Sequence, residues 1–221
     1  MQVKHLLDYK TLAIAALAVI VIFLASSQLI NSLHVSGLEI SLNRYSHNSE
    51  RVNEPSVADD NAVIASMLSS TFAGGYEYEL AAKALSWQSY KQLTDKEAEL
   101  TKQYLLSSIR TRPTWYATYL ELAQFEPSDS RLEQVKLAQR FGPNMPLTLF
   151  AQFDVGFSRW NHLDSQQRVE LSTSFLTTAL KWKYREELSR LLTYSPGAER
   201  MCRLLAFNNT THEKCQTNIN G

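Results

Sequence analysis

Hydrophobic and polar positions divide the chain into two regimes. From Leu12 to Leu24 there is no polar residue, and apolar character resumes at Leu29-Ile30. Beyond about residue 60 the apolar positions instead recur every three or four residues, the period of a helix with one buried face. Proline and glycine breaks separate these runs. Val63, Ile64, Met67 and Leu68 form a first face, closed by Gly74-Gly75 read as a helix terminator. Leu80, Ala81, Ala84, Leu85 and Trp87 form a second within 76–90. Thr94-Asp95-Lys96-Glu97 fits a capping box opening a helix with Leu100, Tyr104, Leu105, Ser108 and Ile109.

The stretch 112–160 organises the rest. Arg112-Pro113 starts a helix, with Pro113 in its first turn and Trp115, Tyr119 and Leu122 as its core face. Pro127-Ser128-Asp129 offers N-caps for the next helix, whose stripe is Leu132, Val135, Ala138 and Phe141. Gly142-Pro143 ends it, with glycine expected in the left-handed conformation. Past Pro146 a third helix carries Phe150, Phe153, Phe157 and Trp160. Aligned on Trp115, Ala138 takes the small-residue position of a tetratricopeptide-type hairpin and Pro143 the closing proline. An ordinary helical bundle is the competing reading. In the first helix, Tyr116, Leu120 and Gln124 are spaced by four on the side away from the core face, and are the candidate partner-binding stripe. Alternatively, Leu120 packs against the preceding hairpin.

Asp164-Ser165-Gln166-Gln167 is a further capping-box candidate. Its helix carries Val169, Leu171, Phe175, Leu176, Ala179, Leu180 and Trp182. A shorter helix follows with Leu188, Leu191 and Leu192, then a Tyr194–Gly197 turn. A last helix holds Met201, Cys202, Leu204, Leu205 and Phe207. No sustained alternating run bounded by turns marks a sheet. The fold class is all-α: a single N-terminal transmembrane helix, then a tetratricopeptide-like helical-hairpin (α-solenoid) domain. The expected organisation is 1–10 N-terminal tail, 11–30 anchor, 31–60 linker, 61–207 helical domain and 208–221 tail.

The apolar segment from Thr11 to Ile30 is about long enough to cross a ~30 Å hydrocarbon core. A signal peptide cut near Ala25-Ser26-Ser27 is the alternative, but the renewed apolar character at Leu29-Ile30 favours an anchor. Lys4 and Lys10 precede it, and Arg44 is the only Arg or Lys in the twenty residues after Ile30. The positive-inside rule then keeps the N-terminus in the cytoplasm, and in a bacterium sends the main domain to the periplasm. Residues 31–60 are rich in Ser and Asn and read as an extended tether, with Leu38, Ile40 and Leu42 as a short alternating piece.

The 22 Lys and Arg balance the 22 Asp and Glu across 221 residues, so no net field points to nucleic acid. Cys202 and Cys215 are the only cysteines, and an oxidising compartment permits a disulfide between them. Metal binding by Cys202, His212 and Cys215 is a weaker alternative, since structural zinc takes four ligands. His162 sits alone in a turn before a helix cap. Lys181, Lys183 and Arg185 interleave with Trp182 and Tyr184, which suits phosphate or acidic glycan, but also a plain solvated helix end. No catalytic constellation, phosphate loop or cofactor motif appears, so no cofactor is expected.

Arg112-Pro113-Thr114-Trp115, Phe141-Gly142-Pro143 with Pro146 close behind, and the Gly156 to Trp160 spacing together resemble the VpsP-like polysaccharide biosynthesis proteins. The resemblance covers about a quarter of the chain. It implies a membrane-anchored, tetratricopeptide-like protein of a bacterial exopolysaccharide cluster, with protein partners in that machinery and no catalytic residue. The expected function is a non-enzymatic periplasmic scaffold of exopolysaccharide synthesis or export. An adaptor of a secretion or division machine is the alternative, and a glycan-modifying enzyme a third.

Overall fold

The computed structural model describes residues 2–47, 54–91 and 95–216. Thr94 of the first capping box lies outside them. All regular structure among the described residues is helical. The chain forms two compact units, Met1–Pro113 and Thr114–Gly221, where one domain over 61–207 was expected.

The first unit opens on α1, a 46-residue helix from Gln2 to His47, about 69 Å long at the usual rise. From Leu12 to Leu24 it is apolar on every side, and the side chains of that stretch are exposed. By length and composition α1 can cross a membrane. Its second half corrects the tether reading, since residues 31–47 are helix, not linker. The missed signal is a period near 3.5: Asn31, Leu38 and Tyr45 are buried, with Val35 and Leu42 partly so between them. The alternation of Leu38, Ile40 and Leu42 is incidental, as Ile40 is exposed. This face supplies the apolar burial that the Ser- and Asn-rich composition did not advertise.

Against that face pack α2 (Glu54–Leu68) and α3 (Gly75–Lys91). Leu38, Ile64, Met67, Leu80, Ala81, Ala84 and Leu85 form one core. Gly74-Gly75 corrects a second expectation: the pair starts α3 and does not end α2. The Gly74 N–H donates to Glu77 Oε2 at 3.0 Å, a local N-terminal cap. Next, α4 (Asp95–Thr111) returns antiparallel along α3, its Ser108 hydroxyl donating to the Gly75 carbonyl at 2.7 Å. The buried stripe of α4 is Thr101, Leu105 and Ser108, with Leu100 exposed at its edge.

The second unit begins with the pair α5 (Tyr116–Gln124) and α6 (Ser128–Phe141). Pro113 lies in the turn before α5, not in the helix's first turn as expected, and Trp115 is the N-cap residue. Pro127 itself is the N-cap of α6 and supplies no side-chain cap bond. Gly142 caps α6 at φ −136°, which corrects the left-handed expectation. Glycine is required there for space: a Cβ would lie 2.7 Å from Cγ of Tyr116. Ala138, in the small-residue position, is fully buried.

The turn before α5 recurs thirty residues later, before α7 (Pro146–Ser158). Arg112-Pro113-Thr114-Trp115 matches Gly142-Pro143-Asn144-Met145, and fully buried Thr118 and Thr148 each occupy the third helical position. Thr148 Oγ1 lies 2.5 Å from the Gly142 carbonyl and 2.8 Å from that of Met145, holding the turn closed. Trp160 falls beyond α7, in a 3-10 turn at Trp160–His162.

A full capping box opens α8 (Ser165–Ala179). Asp164 Oδ1 accepts from the Gln167 N–H at 2.8 Å, and Gln167 Oε1 accepts from the Asp164 N–H at 3.1 Å. A 3-10 turn at Trp182–Tyr184 leads into α9 (Arg185–Tyr194), and α10 (Ala198–Phe207) follows. Phe153, Phe157, Phe175, Leu192, Met201 and Leu205 centre this unit's core. Gly197 lets α10 start hard against α7, because a Cβ there would meet Phe157 C at 2.7 Å and Ser158 N at 2.8 Å. Asn209, at φ 54°, closes α10: its N–H bonds the Ala206 carbonyl and that of Thr210 bonds Leu205, a Schellman end. Within the expected polar tail, Glu213–Gln216 forms the short α11.

Candidate functional site

Sequence register placed a partner-binding stripe on α5, and the structure corrects it. Helix α5 packs against both α6 and α7. Leu120 is partly buried on the cluster Ala123, Val135 and Val155, so it belongs to packing within the second unit. Tyr116 is half-buried, with its ring over Gly142 and tilted against Trp115 at 5.6 Å between centroids. Gln124 alone of the three is exposed, within reach of Glu121. Trp115, expected in the core, is 41% exposed. A nine-residue helix covered by two neighbours has no free apolar face, which a one-neighbour hairpin argument misses.

The second unit offers instead a cleft of about 310 Å³ between α6, α7 and α8. Its apolar floor includes Leu132, Val135 and Leu171, and its polar lining includes Gln139, Gln152 and His162. Gln152 Oε1 is buried there without a hydrogen-bond partner. Arg159, at one edge, is paired with Asp129 at 2.5 Å. The readable signal was Gln152, a long amide set inside the apolar run of α7.

Cys202 and Cys215 are joined by a disulfide with 5.3 Å between Cα atoms, and both sulfurs are spent in it. His212 lies 3.5 Å from the Ser189 hydroxyl, and burial holds its imidazole below the usual pKa. Ser189 Oγ donates to the Arg185 carbonyl at 2.8 Å, so its proton is directed away from the imidazole. Trp160 stacks on Phe157 at 5.5 Å and carries the Arg168 guanidinium over its ring. Of the basic segment, Tyr184 is buried and Trp182 stands out at 84% exposure, so the interleaved stripe is broken. Among the described residues no three His, Cys, Asp or Glu side chains gather as a metal site.

In the first unit the polar half of α1 is locked by hydrogen bonds as well as by its core face. Buried Asp60 on α2 accepts from the Tyr45 phenol and, at 2.9 Å, from Ser41 Oγ. Asn31 Nδ2 donates to Glu77 Oε1 at 3.2 Å, and the Tyr76 phenol donates to Glu39. The Glu39 carboxylate, together with burial, pushes Tyr76 up to about 12. Buried Glu79 sits between Lys83 at 2.7 Å and Arg112 at 3.8 Å. Asp60→Ala leaves two part-buried or buried hydroxyls without an acceptor. It is expected to cost roughly 2–4 kcal/mol and to raise amide exchange across 34–47. Unchanged exchange there would show that the apolar face alone holds α1.

Neither the models of protein families, nor the curated proteins, nor the solved structures contain a match to this chain.

Proposed function

We propose that the chain is a non-enzymatic, single-pass scaffold of bacterial exopolysaccharide synthesis or export. Its N-terminus lies in the cytoplasm and its helical units in the periplasm, where they bind partner proteins. The observation that carries the reading is α1: its apolar half continues without a break into a half that is core to the first unit. An anchor built this way transmits position as well as tethering, which suits a scaffold. Within the second unit, the α5–α6 pair and the turn repeated before α5 and α7 support the tetratricopeptide-like reading.

Topology is tested with a phosphatase fused after Gly221. It should be active, and a cytoplasm-dependent fluorescent protein fused there should be dark; the opposite pattern rejects the periplasmic placement. Crosslinking in native membranes should recover glycosyltransferase or polymer-export proteins. Recovery of secretion or division proteins instead would transfer the scaffold to another envelope machine.

A further inference from the structure

Among the large apolar side chains that the core of the second unit leaves exposed are Leu180, Trp182 and Phe207. The buried stripe of α8 runs through Leu171, Phe175 and Thr178 and stops there. Leu180, its C-cap, is 72% exposed, and Trp182 follows at 84%. Phe207, the last residue of α10, is 86% exposed. Helices α9 and α10 have ten residues each, are joined by a short turn and share one core. The hairpin therefore returns Phe207 to the end of the unit where 180–185 lies.

Cations rim these side chains. Lys181, Lys183 and Arg185 are all exposed, with the Lys183 ammonium 4.7 Å over the Tyr184 ring. Against them stand Glu186, held by Arg190 at 2.6 Å, and Glu187. The three apolar groups project from helix ends and a turn, not from one helix face. They offer no i, i+4 stripe to a partner helix. Exposed indole beside aliphatic and basic groups is the composition of side chains that seat at a bilayer surface.

We propose that this end of the second unit docks on an anionic lipid surface. Leu180, Trp182 and Phe207 enter the acyl boundary, and Lys181, Lys183 and Arg185 meet lipid phosphates. The inference rests on the membrane reading of α1 only in bringing the chain to a bilayer.

The test uses the full chain in vesicles of phosphatidylcholine with phosphatidylglycerol, some acyl chains brominated to quench tryptophan. Neither apolar α1 nor any residue before Trp87 carries a tryptophan. Both leaflets have the same lipids, so either insertion direction reports. Flotation with the vesicles after alkaline wash checks α1 separately; failure to float rejects the anchor, not the docking. In floated protein, tryptophan quenching is expected in wild type and should be lost in Trp182→Tyr. It should fall in Leu180→Ser/Phe207→Ser and in Lys181→Gln/Lys183→Gln, each cation removed weakening docking by roughly fivefold. These positions are exposed, so thermal melting should not move. Absent quenching, or quenching equal in Trp182→Tyr, overturns the proposal. So does Trp182 shielded from aqueous iodide but untouched by bromolipid, which would report a protein contact.

Discussion

Phe157→Ala should destabilise the second unit by roughly 3–5 kcal/mol, a large share of the 5–15 kcal/mol that ordinarily holds a domain. The ring is almost wholly buried, stacks on Trp160 at 5.5 Å and meets Phe175 edge-on at 5.1 Å. Its own backbone is also where Gly197 docks α10, so relaxation into the cavity is opposed from that side. A neighbour that cannot move in leaves the full void, and the cost stays near the top of the range. Trp115→Ala is the contrasting variant. Trp115 is a half-exposed N-cap residue whose ring touches Tyr116, and its loss should cost about 1 kcal/mol. Denaturant unfolding of both variants decides it. Equal losses would mean that Trp115 is a core residue after all.

Removing the disulfide should have the second-largest effect. Cys215→Ser opens a loop closed across a separation of 13 residues, worth about 3 kcal/mol in the chain-entropy model. The consequence is also local. Helix α11 spans four residues, too few to persist without tertiary support. Cys215 is its buried contact with the core of the second unit. Amide protection over 210–216 should therefore collapse in the variant, while the Asp164–Gln167 capping box of α8 stays protected. Reductant should bring wild type to the variant's melting temperature. A wild-type melt indifferent to reductant, with both thiols open to alkylation in protein taken from cells, would show that the bond does not form.

The sequence by itself determined the helical class, the apolar span and most helix positions in the second unit. Those features depend on near neighbours along the chain. A run without polar residues, a Pro at a turn, or Asp164 three residues before Gln167 acts within one or two turns of helix. Local order is therefore legible without partners. Ala138 is fully buried in α6, and its place on the apolar stripe of that helix was readable from spacing alone.

Tertiary structure decided which faces are covered. Residues 31–47 look solvated by composition, yet Leu38 and Tyr45 find α2 and α3, and Asp60 supplies an acceptor that no local pattern announces. Helix α5 shows the converse: Tyr116 and Leu120 look free in a single helix and are taken up by Gly142 and the α6–α7 cluster. Gly142 itself was read as a dihedral requirement and is a spatial one. Which side of a short helix meets solvent depends on how many elements touch it, and that number is set by residues far away in the chain.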